Sequence, residues 1–91
     1  MTIKECIKKH GLQMEVDELK RYQTVDVCFV NSDGQEDETE FNVRYMGTKQ
    51  GEQELTNLFK EFCKENGFKT NTVLSVTVVK NSDVFKELDE E

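Results

Sequence analysis

The stretch from Glu52 to Asn66 constrains the fold of this 91-residue chain more than any other part. Its apolar residues recur at the i, i+3, i+4, i+7 spacing of one helical face, and they are Leu55, Leu58, Phe59 and Phe62. Gly67 follows directly and can adopt the left-handed conformation that ends a helix. A helix with one apolar face must bury it, so the β-rich segments on either side predict a sheet beneath it.

The first part of the chain predicts a short helix followed by a strand. Thr2 and Glu5 have the spacing of a capping box, which predicts a helix over 2–10. Residues 12–16 alternate apolar and polar side chains, as a half-buried strand does. The alternative is a second short helix that carries Leu12, Val16 and Leu19 on one face.

Three further strands and a terminal helix are predicted from the rest of the chain. Segments 24–31 and 39–46 are rich in β-forming residues, and they are joined by a turn signal within a long acidic connection. Segment 72–80 alternates in the same way and predicts the last strand. The acidic tail 82–91 has two interpretations, a short helix carrying Val84 and Leu88 or a mobile terminus.

The predicted order is therefore α-β-β-β-α-β-α in a single α+β domain over 1–91. Because a strand–helix–strand passage returns the chain to its starting edge, segment 72–80 is expected to run parallel to 39–46 and to pair antiparallel with 24–31, a central strand. We expect a mainly antiparallel sheet of three or four strands with the long helix packed on one face. The residues expected beneath that helix are Val25, Val27, Phe29, Phe41, Val43, Tyr45, Leu74, Val76 and Val78.

The other face of the predicted sheet mixes apolar and polar side chains. Its polar members are Asp26, Arg44, Ser75 and Thr77, and its apolar members are Cys28, Val30, Met46, Val73 and Val79. An exposed surface of this mixed kind is typical of contacts between proteins. We therefore predict that these five apolar residues bind a protein partner or a second copy of the chain.

The net charge of −7 is concentrated in short segments of the chain. The predicted acidic loop carries five acids and no base, namely Asp33, Glu36, Asp37, Glu38 and Glu40. Because phosphate binding needs positive charge, direct nucleic-acid binding is not expected. The acidic segments either present a binding patch or keep the protein soluble.

The sequence predicts no catalytic residues, no metal site and no cofactor, so an enzyme is not expected. Cys6 and His10 share a helical face, but a closed zinc site needs about four ligands. The three cysteines are widely spaced, and we interpret Cys6, Cys28 and Cys63 as reduced, packed side chains. No apolar run resembles a membrane span or a secretory leader, which predicts a cytoplasmic protein without membrane contact.

The N-terminal residues resemble the start of small uncharacterised proteins encoded by phages and other mobile elements. The likeness rests on Thr2-Ile3-Lys4-Glu5, Ile7, Lys9, Leu12 and Met14-Glu15-Val16. In that group a short helix precedes a strand and a hairpin, and the hairpin is basic where this chain has the acidic segment 33–40. The resemblance implies a mobile-element origin and carries no catalytic residues.

Two functions fit these features. The first is a small acidic, non-catalytic protein-binding module, an accessory protein of a phage or mobile element. The alternative is an acidic nucleic-acid mimic that inhibits a host-defence nuclease or another nucleic-acid-binding protein, because carboxylates can occupy sites built for phosphates.

Overall fold

A computed structural model describes residues 1–81 of the chain. Its elements are α1 (Ile3–His10), β1 (Gln13–Met14), β2 (Tyr22–Val30), β3 (Glu36–Arg44), α2 (Lys49–Asn66) and β4 (Val73–Asn81). Over this range the predicted α+β class and element order are confirmed. The terminal helix expected within 82–91 lies outside the described residues.

Helix α1 begins with the predicted capping box. The Thr2 hydroxyl accepts a hydrogen bond from the Glu5 backbone N–H at 3.2 Å, and the Glu5 carboxylate accepts one from the Thr2 N–H at 3.0 Å. These bonds satisfy two N–H groups that the helix itself leaves unpaired. The hydrogen bond from the Thr2 backbone N–H, followed by the Thr2 side chain, holds the pKa of Glu5 below its usual range. Gly11 then ends the helix with a positive φ of 77°.

Helix α2 begins three residues earlier than the apolar repeat indicates. The Thr48 hydroxyl accepts a hydrogen bond from the Gly51 N–H at 3.3 Å, so Thr48 is the N-cap and Gly51 lies within the first turn. The other end is as predicted, because Gly67 is left-handed with a φ of 71° and donates its N–H to Cys63 O. Phe68 then folds back, and its ring centroid lies 5.4 Å from that of Phe29.

The four strands form one sheet in the order β1-β4-β2-β3. Strand β2 pairs antiparallel with both β3 and β4, which confirms the central position predicted for segment 24–31. The predicted strand at 12–16 is present but contains only Gln13 and Met14, which pair parallel with β4. The sheet is therefore mixed, and the expectation of a mainly antiparallel sheet is wrong at this edge.

Both helices pack on the same face of the sheet. Ile3 and Cys6 of α1 join Leu55, Phe59 and Cys63 of α2 in one buried cluster with the inner side chains of β2, β3 and β4. The Phe29 ring lies edge-on to the rings of Phe59 and Phe62, at centroid distances of 5.6 and 5.7 Å. Burying each large apolar side chain of this kind stabilises the fold by about 1.5–3 kcal/mol, so this layer supplies most of the driving force.

A β-bulge changes which side chains of β4 face the core. Phe29 pairs with Val73 while its neighbour Cys28 pairs with Ser75, so Leu74 is an extra residue opposite β2. Val73 is consequently buried at 1% exposure, and Leu74 is 42% exposed. The prediction that Leu74 faces the core and Val73 the other side is wrong, because strict alternation does not continue through a bulge.

At the end of β3, two further side chains lie on the faces opposite to those predicted. Tyr45 follows the strand with a positive φ of 54°, which is uncommon for a residue with a side chain. This turn leaves Tyr45 39% exposed and places Met46 in the core at 3% exposure. The Met46 N–H donates to the buried Gln23 amide oxygen at 2.9 Å, which fixes the turn. The prediction that Tyr45 faces the core and Met46 the other side is therefore wrong.

The acidic connection is much shorter than predicted. The Asn31 side-chain oxygen accepts hydrogen bonds from the N–H groups of Asp33 and Gln35 at 2.9 and 3.1 Å, and Gly34 takes a φ of 79°. These contacts close a tight hairpin turn, and β3 begins immediately afterwards. Of the predicted acidic loop, only Asp33 lies in the turn, and the four strand residues are Glu36, Asp37, Glu38 and Glu40.

Candidate protein-binding surface

The face of the sheet opposite the two helices, here called the outer face, is uncovered by the described residues 1–81. The side chains of β2 and β3 at even-numbered positions lie on it, because the odd-numbered Val25, Val27, Phe29 and Val43 are buried beneath the helices. Five direct pairs therefore cross this face, and the three nearest the hairpin turn are Asp26–Glu40, Cys28–Glu38 and Val30–Glu36.

The apolar part of the outer face is smaller than the sequence predicts. Cys28, Val30 and Val79 are half-buried in strands that form this face. Met46 and Val73 lie in the core instead, for the reasons given above, and are not available to a partner. Three of the five predicted contact residues thus remain, separated by polar side chains.

Three exposed carboxylates form a row along β3. Glu36, Glu38 and Glu40, here called the acidic row, occupy alternate positions and repeat about every 6.8 Å along an extended strand. Asp37 alternates with them and points to the side of Phe29, where its carboxylate accepts the Glu38 N–H at 2.8 Å. The strand therefore separates acids that the sequence analysis had grouped in one loop.

Asp26 connects the acidic row to the centre of the sheet. One carboxylate oxygen of Asp26, the sulfur of Cys28 and one carboxylate oxygen of Glu38 all lie within 4.8 Å of one another. The Cys28 thiol donates to Glu38 Oε2 at a long 4.0 Å. Asp26 Oδ1 is buried and has no hydrogen-bond partner among residues 1–81.

Burial raises the pKa of Asp26, and the carboxylates of Glu38, Glu40 and Glu15 raise it further. Each ionised neighbour makes the charged form of Asp26 less favourable, so a cation placed over this group would relieve the repulsion. The sequence predicts that Asp26 lies on this face but gives no sign that it is a site residue. The available signal was its position two residues before Cys28, opposite an acidic hairpin strand.

Positive charge lies at the other end of the same face. The Tyr22 ring is flanked by the guanidinium groups of Arg21 and Arg44, whose central carbons lie 5.2 and 5.7 Å from the ring centroid. Tyr22 pairs directly with Arg44, whereas the acidic row begins at the hairpin turn. The outer face is therefore polarised along β3, acidic near the turn and basic at the far end.

Two cysteines pack as the sequence predicts. Cys6 and Cys63 are buried, and burial raises the pKa of each thiol. Their sulfurs donate to the backbone oxygens of Leu74 and Lys69, each at 3.6 Å. His10 is exposed on α1, whereas Cys6 is bonded within the core. These features favour packing roles for the two thiols over nucleophilic or ligand roles.

No protein-family model, curated protein or solved structure matches this chain. Within residues 1–81, neither helix has the length and apolar character needed to cross a membrane. Function is therefore inferred from the geometry and charge of the outer face.

Proposed function

We propose that this chain is a small non-catalytic module that binds a basic protein through its outer face. The observation that carries the proposal is the acidic row, which lies beside Asp26 on a sheet face that no described element covers. Opposite potentials on two proteins accelerate their encounter and fix their relative orientation. The N-terminal resemblance supports a role as an accessory protein of a phage or mobile element.

The chemistry of Asp26 favours a cationic contact over an apolar one. Its buried oxygen is unpaired and its acidic neighbours disfavour the ionised form. A lysine or arginine from the partner would supply a compensating charge to this group and would donate hydrogen bonds to the exposed carboxylates of Glu38 and Glu40. Hydrogen bonds to charged groups are the stronger kind. The three free cysteines favour a reducing compartment, so we place this interaction in the cytoplasm.

Affinity capture with matched variants tests the proposal. The wild-type chain, the double variant Glu38→Gln with Glu40→Gln, and the control Glu61→Gln with Glu65→Gln are each immobilised and exposed to lysate of the native host. Both pairs remove two exposed acids, but only the first pair lies on the outer face. We expect a partner that the wild type and the control retain and that the outer-face variant loses.

Two results would contradict this function. Equal capture by all three proteins would mean that the acidic row plays no part in binding. Failure of the wild type to enrich any protein above a blank surface would remove the evidence for a binding module. Raising the ionic strength provides a further check, because contacts between exposed charges weaken as salt screens them.

The nucleic-acid mimic remains the second candidate, favoured by the regular spacing of the acidic row. Its carboxylates repeat about every 6.8 Å along the strand, whereas one strand of DNA carries a phosphate about every 3.4 Å along the axis. The row has about half that linear charge density, which favours a general basic partner. Competition decides between them: duplex DNA displaces the captured partner if the chain is a mimic and leaves it bound otherwise.

A further inference from the structure

We propose that the open edge of β3 binds an extended basic segment of the partner as an added antiparallel strand. This inference rests on the proposed function and specifies how the partner is held. Among the strands of residues 1–81, β3 pairs only with β2, and it is nine residues long. An exposed edge of this length presents backbone groups that can pair with another chain.

The phase of the β2–β3 hydrogen bonds identifies which backbone groups face outward. The Tyr45 N–H donates to Arg21 O at 2.9 Å, and the Asn31 N–H donates to Gln35 O at 2.8 Å. The odd-numbered residues of β3 therefore direct their backbone N–H and C=O groups to β2. Because inward and outward groups alternate along an antiparallel strand, the even-numbered residues of β3 direct their N–H and C=O groups to the open edge.

Some of these outward groups already have partners within the chain. The Glu38 N–H donates to the Asp37 carboxylate, and the Arg44 N–H donates to Glu54 Oε2 of α2 at 3.4 Å. Within residues 1–81, the outward N–H groups of Glu40 and Asn42 make no hydrogen bond. The N–H side of the edge is thus closed by α2 at Arg44 and by Asp37 at Glu38, and it is open at Glu40 and Asn42.

The side chains flanking this edge specify the sequence of the added strand. On the outer face, the acidic row would lie opposite every second residue of the incoming segment, which favours lysine or arginine there. On the other face lie the half-buried rings of Phe41 and Phe62, whose centroids are 5.9 Å apart. These rings favour apolar residues at the intervening positions of the incoming segment. The edge therefore fits a segment in which basic and apolar residues alternate.

A second copy of the chain fits this edge less well. Two β3 strands would bring two sets of acids together, and like charges on adjacent strands are destabilising. The strand has one cation to offset them, Arg44, which already lies over the Tyr22 ring and whose N–H is bonded to Glu54. Charge complementarity thus favours a basic partner.

A methylated peptide series tests the hydrogen bonds directly. The probe is a fluorescent peptide of about nine residues that alternates lysine and valine. With lysines opposite the acidic row, the lysine N–H groups face β3 and the valine N–H groups face solvent. N-methylation of three lysine amides should weaken binding at least about tenfold, whereas N-methylation of three valine amides should change it less than about threefold.

A pair of substitutions at one position provides the matching test on the protein. Glu40→Pro removes an outward N–H, which an edge strand tolerates, while Glu40→Gln removes the same charge and keeps the N–H. We expect the proline variant to bind the unmethylated peptide at least about fivefold more weakly than the glutamine variant. Circular dichroism and thermal unfolding check that both variants fold, and the peptide series decides alone if Glu40→Pro does not.

Three outcomes overturn the edge inference. They are equal effects of the two methylation patterns, no binding of the unmethylated peptide, and a dimer in light scattering that Glu40→Pro dissociates, which would assign the edge to a second copy. None of them removes the proposed function if Glu38→Gln with Glu40→Gln still loses its partner in capture. Conversely, suppose that Glu38→Gln with Glu40→Gln retains its partner in capture while peptide binding depends on which amides are methylated. The proposed function would then be contradicted, and the edge inference would still be supported.

Discussion

Replacing Asp26 by asparagine should stabilise the fold at neutral pH. The substitution keeps the size of the side chain and removes the charge from an oxygen that is buried and unpaired. Asp26 and Glu38 have carboxylate oxygens within 4.8 Å of each other. Two unit charges at about that distance repel by about 0.9 kcal/mol in water and by about 3.5 kcal/mol at an effective dielectric constant near 20. Because the site is partly exposed and screened, we expect a gain of about 1–2 kcal/mol.

The pH dependence of this gain follows from the raised pKa of Asp26. The unfolded chain loses the proton near the ordinary value of 3.8, whereas the folded chain keeps it to higher pH. Stability therefore falls as the pH rises from the ordinary value through the folded pKa, and it is constant beyond that. The advantage of Asp26→Asn should accordingly be full at neutral pH and absent at about pH 3, where the wild-type carboxyl is protonated in both states.

Urea unfolding at neutral pH and at about pH 3 measures the effect. The slope of the unfolding free energy against urea concentration should be the same for the wild type and the variant. Asp33→Asn is the matched control, because Asp33 lies in the exposed hairpin turn and should change stability by less than about 0.5 kcal/mol. A loss of stability in Asp26→Asn at neutral pH would refute the reasoning. So would a gain of equal size at both pH values, since it could not arise from charge.

Two further predictions concern the helix starts, and both use urea unfolding. Gly51→Ala should lower the free energy of unfolding by about 2 kcal/mol, because its Cβ would lie 2.6 Å from the Tyr45 carbonyl carbon and 2.8 Å from Arg44 O. Alanine's higher helix propensity of about 1 kcal/mol does not offset this overlap. The control Gln50→Ala, on the exposed side, should be neutral, and stabilisation by Gly51→Ala would contradict the close contact. Thr2→Ala should cost about 1 kcal/mol while Thr2→Ser keeps most of the cap, so equal losses would show that the hydroxyl does not matter.

Features encoded by local chemistry were predictable from the sequence. The capping box at Thr2 and the left-handed Gly67 each satisfy backbone groups within one turn, so a few adjacent residues suffice to identify them. The central position of segment 24–31 was also predictable, because its apolar side chains on both faces fit a strand paired on two sides. Each of these inferences uses only sequence spacing.

Irregularities that arise only once the segments have paired were not predictable. The bulge at Leu74 exists only because β4 is paired with β2 through an irregular register. The alternation of apolar and polar residues along one segment does not indicate it. The inward turn of Met46 depends on the buried Gln23 amide 23 residues earlier in the chain. Residues 36–38 were predicted as part of the connection that follows the turn signal, yet they pair with β2, where exposure to solvent accommodates their acidic side chains.

The strand order has a consequence for how the chain reaches its native state. Strand β4 is inserted between β1 and β2, although it follows both by more than forty residues. Until it arrives, β2 has a free edge, and Val25, Val27 and Phe29 lack their neighbours Val78, Val76 and Val73. Long-range closures of this kind are slow and leave intermediates that associate easily. Truncation before Val73 should therefore yield an insoluble fragment and not a smaller folded unit.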